Sequence, residues 1–191
     1  KLSSSIRKHV VKMAHNGRSS HVASCLSVAD LVACVYSVMK LRASDPDWPE
    51  RDRFILSKGH AGATVYAVLA ELGFFTKELL LDHYQNGSTM SGHVSHYENP
   101  GVEFSTGSLG HGLSVCAGLA FSKLIDKKNN RTYCILSDGE LNEGSNWEAL
   151  MFAGHHQLSN LTALIDYNKL QSIKDTEGTL GLEPLVDKLS A

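Results

Sequence analysis

Ser137-Asp138-Gly139-Glu140-Leu141-Asn142-Glu143-Gly144 organises the chain, and Asp166-Tyr167-Asn168-Lys169-Leu170 answers it further on. A short apolar run precedes each: Tyr133-Cys134-Ile135-Leu136 before the first, Leu161-Thr162-Ala163-Leu164-Ile165 before the second. Runs of that length and composition read as strands buried on both faces. Between them Trp147, Leu150, Met151, Gly154 and Leu158 follow helical spacing and predict one apolar stripe. Strand, acidic turn, helix, strand is a crossover unit, which sets the strands parallel and brings Asp138 and Asn168 to one sheet edge. The helix start after Gly139 is expected to offer unpaired N–H groups to an anion. A carboxylate, an amide oxygen and such a helix start suit a hard cation that also holds a diphosphate, and Mg²⁺ is the natural candidate.

The 191 residues fit one large domain, 1–191, with no repeat and no low-complexity linker. Eighteen Lys and Arg against twenty Asp and Glu give a net charge of −2 with no basic run, which argues against nucleic acid as a partner. No apolar stretch reaches the ~18 residues of a membrane span, and the opening residues do not read as a signal peptide. Cys25, Cys34, Cys116 and Cys134 lie in apolar patterns without a Cys-x-x-Cys pair, so all four are expected as small buried hydrophobes in a reducing cytoplasm.

Leu2, Ile6, Val10 and Met13 predict a first helix ending near Asn16-Gly17. A second is expected from Ser27, as cap, through Val28, Leu31, Val32, Val35 and Met39. Arg53-Phe54-Ile55-Leu56 reads as a strand, and Ser57-Lys58-Gly59-His60-Ala61 opens a helix carrying Val65, Val68, Leu69 and Leu72. Thr76 to Leu81 is a short helix and Asn86-Gly87 a turn. Leu113, Cys116, Ala117, Ala120, Phe121 and Leu124 mark another helix, whose small residues make it the candidate for burial in a dimer. After Gln171 the chain is expected to be irregular up to a short helix within 182–189. His9, His15, His83, His96 and His156 are read as structural.

The block Asp138-Gly139-Glu140-Leu141-Asn142-Glu143-Gly144, with Glu148-Ala149, Ala153-Gly154-His155 and Asp166-Tyr167-Asn168, resembles the thiamine diphosphate motif in its transketolase form. Ser57-Lys58-Gly59-His60-Ala61, Ser91-Gly92-His93 and Ser105-Thr106-Gly107-Ser108-Leu109-Gly110-His111-Gly112 extend the resemblance over nearly the whole chain. It is closest to the separately encoded N-terminal half of split transketolases. The fold so implied is α/β, a doubly wound, mainly parallel sheet with helices on both faces. Departures are Val22 and Ala23 where the family has Pro and Gly after the histidine matched by His21, Val94 where it has Pro after that of His93, and Ser137 where it has Gly.

The resemblance implies catalytic roles for His21, His60 and His93, and cofactor contacts from His60, Gly107, Leu109, Asp138, Gly139, Glu140 and Asn168. Asp138, Asn168 and the carbonyl of Leu170 would hold Mg²⁺, or Ca²⁺ in its place. The implied activity is transfer of a two-carbon ketol unit between sugars or sugar phosphates. The family's activating Glu lies on a pyrimidine-binding domain that this sequence lacks, so the resemblance implies a C-terminal partner subunit, in a hetero-oligomer or dimer of dimers. On the same reading the domain is truncated at both ends. Rival readings are a deoxyxylulose-phosphate synthase-like enzyme, a 2-oxoacid dehydrogenase component, or a non-catalytic regulatory subunit of the same fold.

Overall fold

In the computed structural model, which describes residues 1–172 and 174–190, three strands form one parallel sheet in the order β1 (Arg53–Leu56), β2 (Thr132–Ser137), β3 (Leu161–Asp166). Alternation along the strands sorts the core into two layers. Phe54, Leu56, Tyr133 and Ile135 face one side, where α1 (Leu2–Gly17), α2 (Val22–Val38) and α3 (Gly62–Glu71) pack. Ile55, Cys134 and Leu136 face the other, against α4 (Gly112–Ile125) and α5 (Gly144–His155). Period-2 alternation on a strand covered by helices on both faces produces this layering. The α/β expectation with helices on both faces therefore holds.

Ile6, Val10 and Met13 of α1 are buried, as their spacing predicts. The left-handed residue that closes the helix is Arg18, with φ 49°. Gly17 has a different task, since a Cβ there would overlap the backbone carbonyl of His83. α3 is buried almost all round, because it lies among α1, α2 and the short helical turns Gly59–Ala61 and Lys77–Asp82.

Five expectations need correction. Ser27 does not cap α2, which begins five residues earlier at Val22; Ser27 sits inside the helix, where its hydroxyl reaches Asp166. β3 is only half-buried, with Ala163 exposed, so it is not a strand covered on both faces. The apolar stripe between β2 and β3 holds only in part: Trp147, Leu150 and Leu158 pack inward, joined by Asn146 and Ala149, while Met151 is 68% exposed and Gly154 faces open space. Cys34 is exposed, whereas Cys25, Cys116 and Cys134 are buried and free. The segment after Gln171 is not irregular throughout, because α6 (Thr176–Leu180) precedes α7 (Leu185–Ser190). Asp175 caps α6 by accepting the N–H of Gly178, a local bond that forms a turn without apolar periodicity.

The small face of α4 is also spoken for. Ala117 and Ala120 pack with Leu158 inside the chain, which leaves Gly118, Leu124 and Ile125 toward solvent.

Candidate functional site

Parallel strands end their carboxyl termini together, and the loops that follow form the site. After β2, Asp138 is buried at 1% exposure. Its Oδ1 accepts the N–H of Gly139 at 2.8 Å and its Oδ2 that of Lys169 at 2.6 Å. The second bond ties the loop after β2 to the loop after β3. A carboxylate has about four acceptor positions, so these two bonds leave capacity for a cation. Asn168 is exposed; its Oδ1 accepts the N–H of Leu170 at 2.9 Å and its amide NH₂ donates to Ser27 Oγ at 3.2 Å. Leu170 is 66% exposed. The donors are hard oxygens, and they fit Mg²⁺ or Ca²⁺ better than a thiophilic metal. Among the described residues no group of three or more His, Cys, Asp or Glu could hold a metal.

The turn Gly139–Asn142 uses its own N–H groups. That of Gly139 goes to Asp138 Oδ1, that of Glu140 to Ser137 Oγ at 3.3 Å, and that of Leu141 to the Asp138 carbonyl at 2.9 Å. The expectation of unpaired N–H groups is corrected at these three residues, because a tight turn satisfies its donors locally. Ser137, the departure from the family glycine, supplies one of the acceptors.

Glu140 is fully buried and turned inward. One carboxylate oxygen accepts from the Ser57 hydroxyl and from the Gly110 N–H, and the other from the Ser137 N–H. It therefore ties together the ends of β1 and β2 and the glycine loop. Burial raises its pKa, with the three donors and Lys58 opposing.

His21, His60 and His93 converge from three loops. The ring centroid of His21 lies 5.2 Å from that of His60 and 5.6 Å from that of His93. His21 has a left-handed backbone (φ 67°) immediately before α2, a costly conformation that a fixed surround must hold. His60 is half-buried, and burial first, then Lys58, His21 and His93, lowers its pKa to about 4. It is thus neutral near pH 7 and can both donate and accept. His93 is exposed, yet burial and then His21 lower its pKa as well.

The backbone around His93 is fastened at several points. Tyr66 Oη donates to the His93 carbonyl at 3.1 Å and accepts the Ser95 N–H at 2.8 Å. Val94 N–H donates to the Gly59 carbonyl at 2.9 Å, a bond that the family's proline could not make. Thr106 Oγ1 donates to the Leu56 carbonyl at 2.6 Å, fastening the next loop to the end of β1. Gly107 lies against His93, where a Cβ would come 2.9 Å from His93 Cδ2. The absence of a side chain at Gly107 is thus what lets the His93 imidazole lie against this loop. Leu109 is half-buried two residues further on.

Three polar residues beside the site escaped the sequence reading. Lys58 and Asp166, each beside a predicted site residue, form a buried ion pair at 2.6 Å, and Ser27 donates to the same carboxylate at 2.8 Å. Lys58 inside Ser-Lys-Gly-His-Ala was the available signal; nothing local points to Ser27.

A family model described as the transketolase thiamine diphosphate-binding domain matches residues 1–183. Among curated relatives, the 6-deoxy-6-sulfo-D-fructose transketolase subunit SqwG of Clostridium sp. (strain MSTE9) is 43% identical over 172 residues, covering 90% of this chain and 62% of the relative. An apulose-4-phosphate transketolase subunit of Phocaeicola vulgatus is 39% identical over 188 residues, covering 97% and 66%. The chain thus spans less than two thirds of either relative's length. A crystal structure of a transketolase variant from Pichia stipitis superposes with a TM-score of 0.93 at 34% identity, covering 99% of this chain and 29% of that one.

Proposed function

Because the chain belongs to the transketolase family, with its thiamine diphosphate-binding domain spanning residues 1–183, we propose that it is the diphosphate- and metal-holding half of a two-part enzyme. That enzyme transfers a two-carbon ketol unit between sugars or sugar phosphates. The observation that carries the reading is the bond from Lys169 N–H to Asp138 Oδ2, which joins the loops bearing Asp138 and Asn168 while leaving both side chains acceptor capacity.

On this proposal Asp138, the amide oxygen of Asn168 and the carbonyl of Leu170 hold Mg²⁺, or Ca²⁺ in its place. Gly107 and Leu109 line the flat ring, and the backbone at Gly139 and Glu140 borders the diphosphate. Thiamine diphosphate, when bound, supplies the carbon nucleophile that cleaves and re-forms the ketol bond. His60, neutral near pH 7, hydrogen-bonds substrate or cofactor oxygens, and His21 and His93 hold or pass protons at the substrate's oxygens.

The curated relatives are named as subunits, and we extend this to a partner chain here, one that carries the activating Glu in a hetero-oligomer or dimer of dimers. Their names give different sugars, so the proposal assigns ketol transfer without a particular sugar. The free buried thiols fit a reducing cytoplasm.

The test is a calorimetric titration of thiamine diphosphate with Mg²⁺, with and without the partner, followed by assays with a ketose and with pyruvate as donor. Saturable binding that needs Mg²⁺ and is lost in Asp138→Ala, with turnover of the ketose only, is expected. Absence of binding under both conditions would overturn the proposal.

A further inference from the structure

Asp166 and Ser27 sit beside the proposed cation site but offer it no ligand. They belong to a hydrogen-bond chain whose direction is dictated at each step. Lys58 Nζ donates to Asp166 Oδ2 at 2.6 Å, and an ammonium can only donate. Asp166 accepts with both oxygens, so Ser27 must spend its one proton on Oδ1, 2.8 Å away. Ser27 Oγ then has only lone pairs left, and the group 3.2 Å from it on Asn168 must be the NH₂. The amide oxygen is thereby turned the other way, where it accepts the N–H of Leu170 at 2.9 Å and keeps a lone pair.

We propose that the Lys58–Asp166–Ser27 chain is the positioning device that holds Asn168 with its amide oxygen, not its NH₂, toward the cation. The idea rests on the proposed metal role of Asn168. An asparagine amide is nearly symmetric in shape, so packing alone distinguishes its two orientations poorly. A wrong orientation would present two N–H donors to a dication. Lys58 is buried two residues before His60, so the charge that orients the metal ligand also adds to burial in lowering the pKa of that histidine.

The direction of the chain makes Asp166→Asn the revealing variant. Lys58 would draw the new amide oxygen to itself and leave the new NH₂ facing Ser27. Ser27 would then accept from residue 166 and donate to Asn168, which must answer with its oxygen. The chain reverses against the Leu170 N–H, which still asks for the oxygen, and NH₂ is turned to the cation although Asn168 itself is unchanged.

The experiment measures the Mg²⁺ concentration giving half-maximal thiamine diphosphate binding in the reconstituted two-part enzyme, with thermal stability recorded for each variant. Outer-shell partners of metal ligands are typically worth 10–100-fold in metal affinity. Ser27→Ala is expected to weaken Mg²⁺ by ~10-fold, Asp166→Asn by ~100-fold, and Ser27→Thr, which keeps the hydroxyl, by less than ~3-fold. Asp166→Asn combined with Lys58→Met buries no lone charge and frees the new amide to turn, so it should recover to the Ser27→Ala level. Wild-type affinity in Ser27→Ala, or losses that follow thermal stability and ignore the double variant's recovery, would overturn the inference while leaving the proposed function intact. Failure of the wild-type complex to bind Mg²⁺ with thiamine diphosphate would overturn both.

Discussion

The two sides of the site are finished to different degrees. On the β1 side, His60 and His93 rise from loops fastened by Tyr66, Val94 and Thr106, over a core formed by α1, α2 and α3. On the β3 side, the strand is half-buried and Tyr167–Leu170 leads out to an exposed leucine. Met151 and Phe152 of α5 are exposed on the same half of the molecule. The contrast separates two needs. On the proposed function the histidines handle protons, and such groups require fixed spacing, which this chain supplies from its own interior. Apolar side chains left toward water gain about 25 cal/mol for each Å² a partner covers, and Met151 and Leu170 are such side chains here, as Val38 and Leu81 are elsewhere on the chain.

Four measurements would sharpen or break that contrast. The largest effect is expected at the fastened side: His93→Ala should depress turnover of the reconstituted enzyme by about 10²–10⁴, the usual worth of a positioned acid–base group, while cofactor affinity stays within a few-fold. Equal loss of both would assign His93 to binding and dissolve the distinction.

The next concerns His83, which is buried with no partner for either ring nitrogen among the described residues and lies beside Tyr66, the residue fastening the His93 loop. Burial lowers its pKa from 6.5 to about 4. A depressed histidine makes the unfolded chain bind more protons, so the stability it contributes is complete above pH 6.5 and is lost as pH falls toward 4. At 1.36 kcal/mol per pKa unit, the loss is about 3 kcal/mol. His60 adds a loss of the same sign, its pKa being lowered to about 4 as well. Urea unfolding at pH 7 and pH 4.5 should therefore show a smaller acid loss in His83→Phe than in wild type. An identical loss would mean that His83 is solvated.

Tyr66→Phe removes the hydroxyl that bridges the His93 carbonyl and the Ser95 N–H. Its expected cost is about 1–2 kcal/mol of stability, with a several-fold fall in turnover. Unchanged turnover would show that Val94 and its neighbours suffice to hold the loop.

The smallest effect on the isolated chain belongs to the open side. Met151→Glu should alter stability by no more than about 0.5 kcal/mol, as befits an exposed position. Association with the partner should weaken, and a sedimentation measurement that finds assembly unaffected would place the partner elsewhere.

The same two sides differ in how far they could be read in advance. β1 coincides with Arg53–Leu56 as the apolar run predicts, and the three histidines matched from motifs meet in space. Both successes depend on short-range information, either a run of residues or a motif a few positions long. The α5 stripe holds only at Trp147, Leu150 and Leu158, because helical spacing names a set of apolar residues without saying which arc turns inward. Met151 and Gly154 fit the period and face out, while Asn146 faces in because its NH₂ reaches the Glu140 carbonyl at 2.6 Å. Ser27 misled for a related reason. A serine before an apolar run resembles a cap, and its partner, Asp166, is 139 positions away.

Local pattern was enough to dictate the α/β alternation, the strands, the acidic turn at Asp138 and the histidine-bearing loops, because hydrophobic period and motif spacing are short-range properties of the chain. Only the assembled fold determined that Glu140 turns inward to join Ser57, Gly110 and Ser137, and that Lys58, Asp166 and Ser27 form one directed chain. A hydrogen bond depends on separations of about 3 Å and on which group holds the proton. Those quantities are set only when distant segments are brought together in the fold.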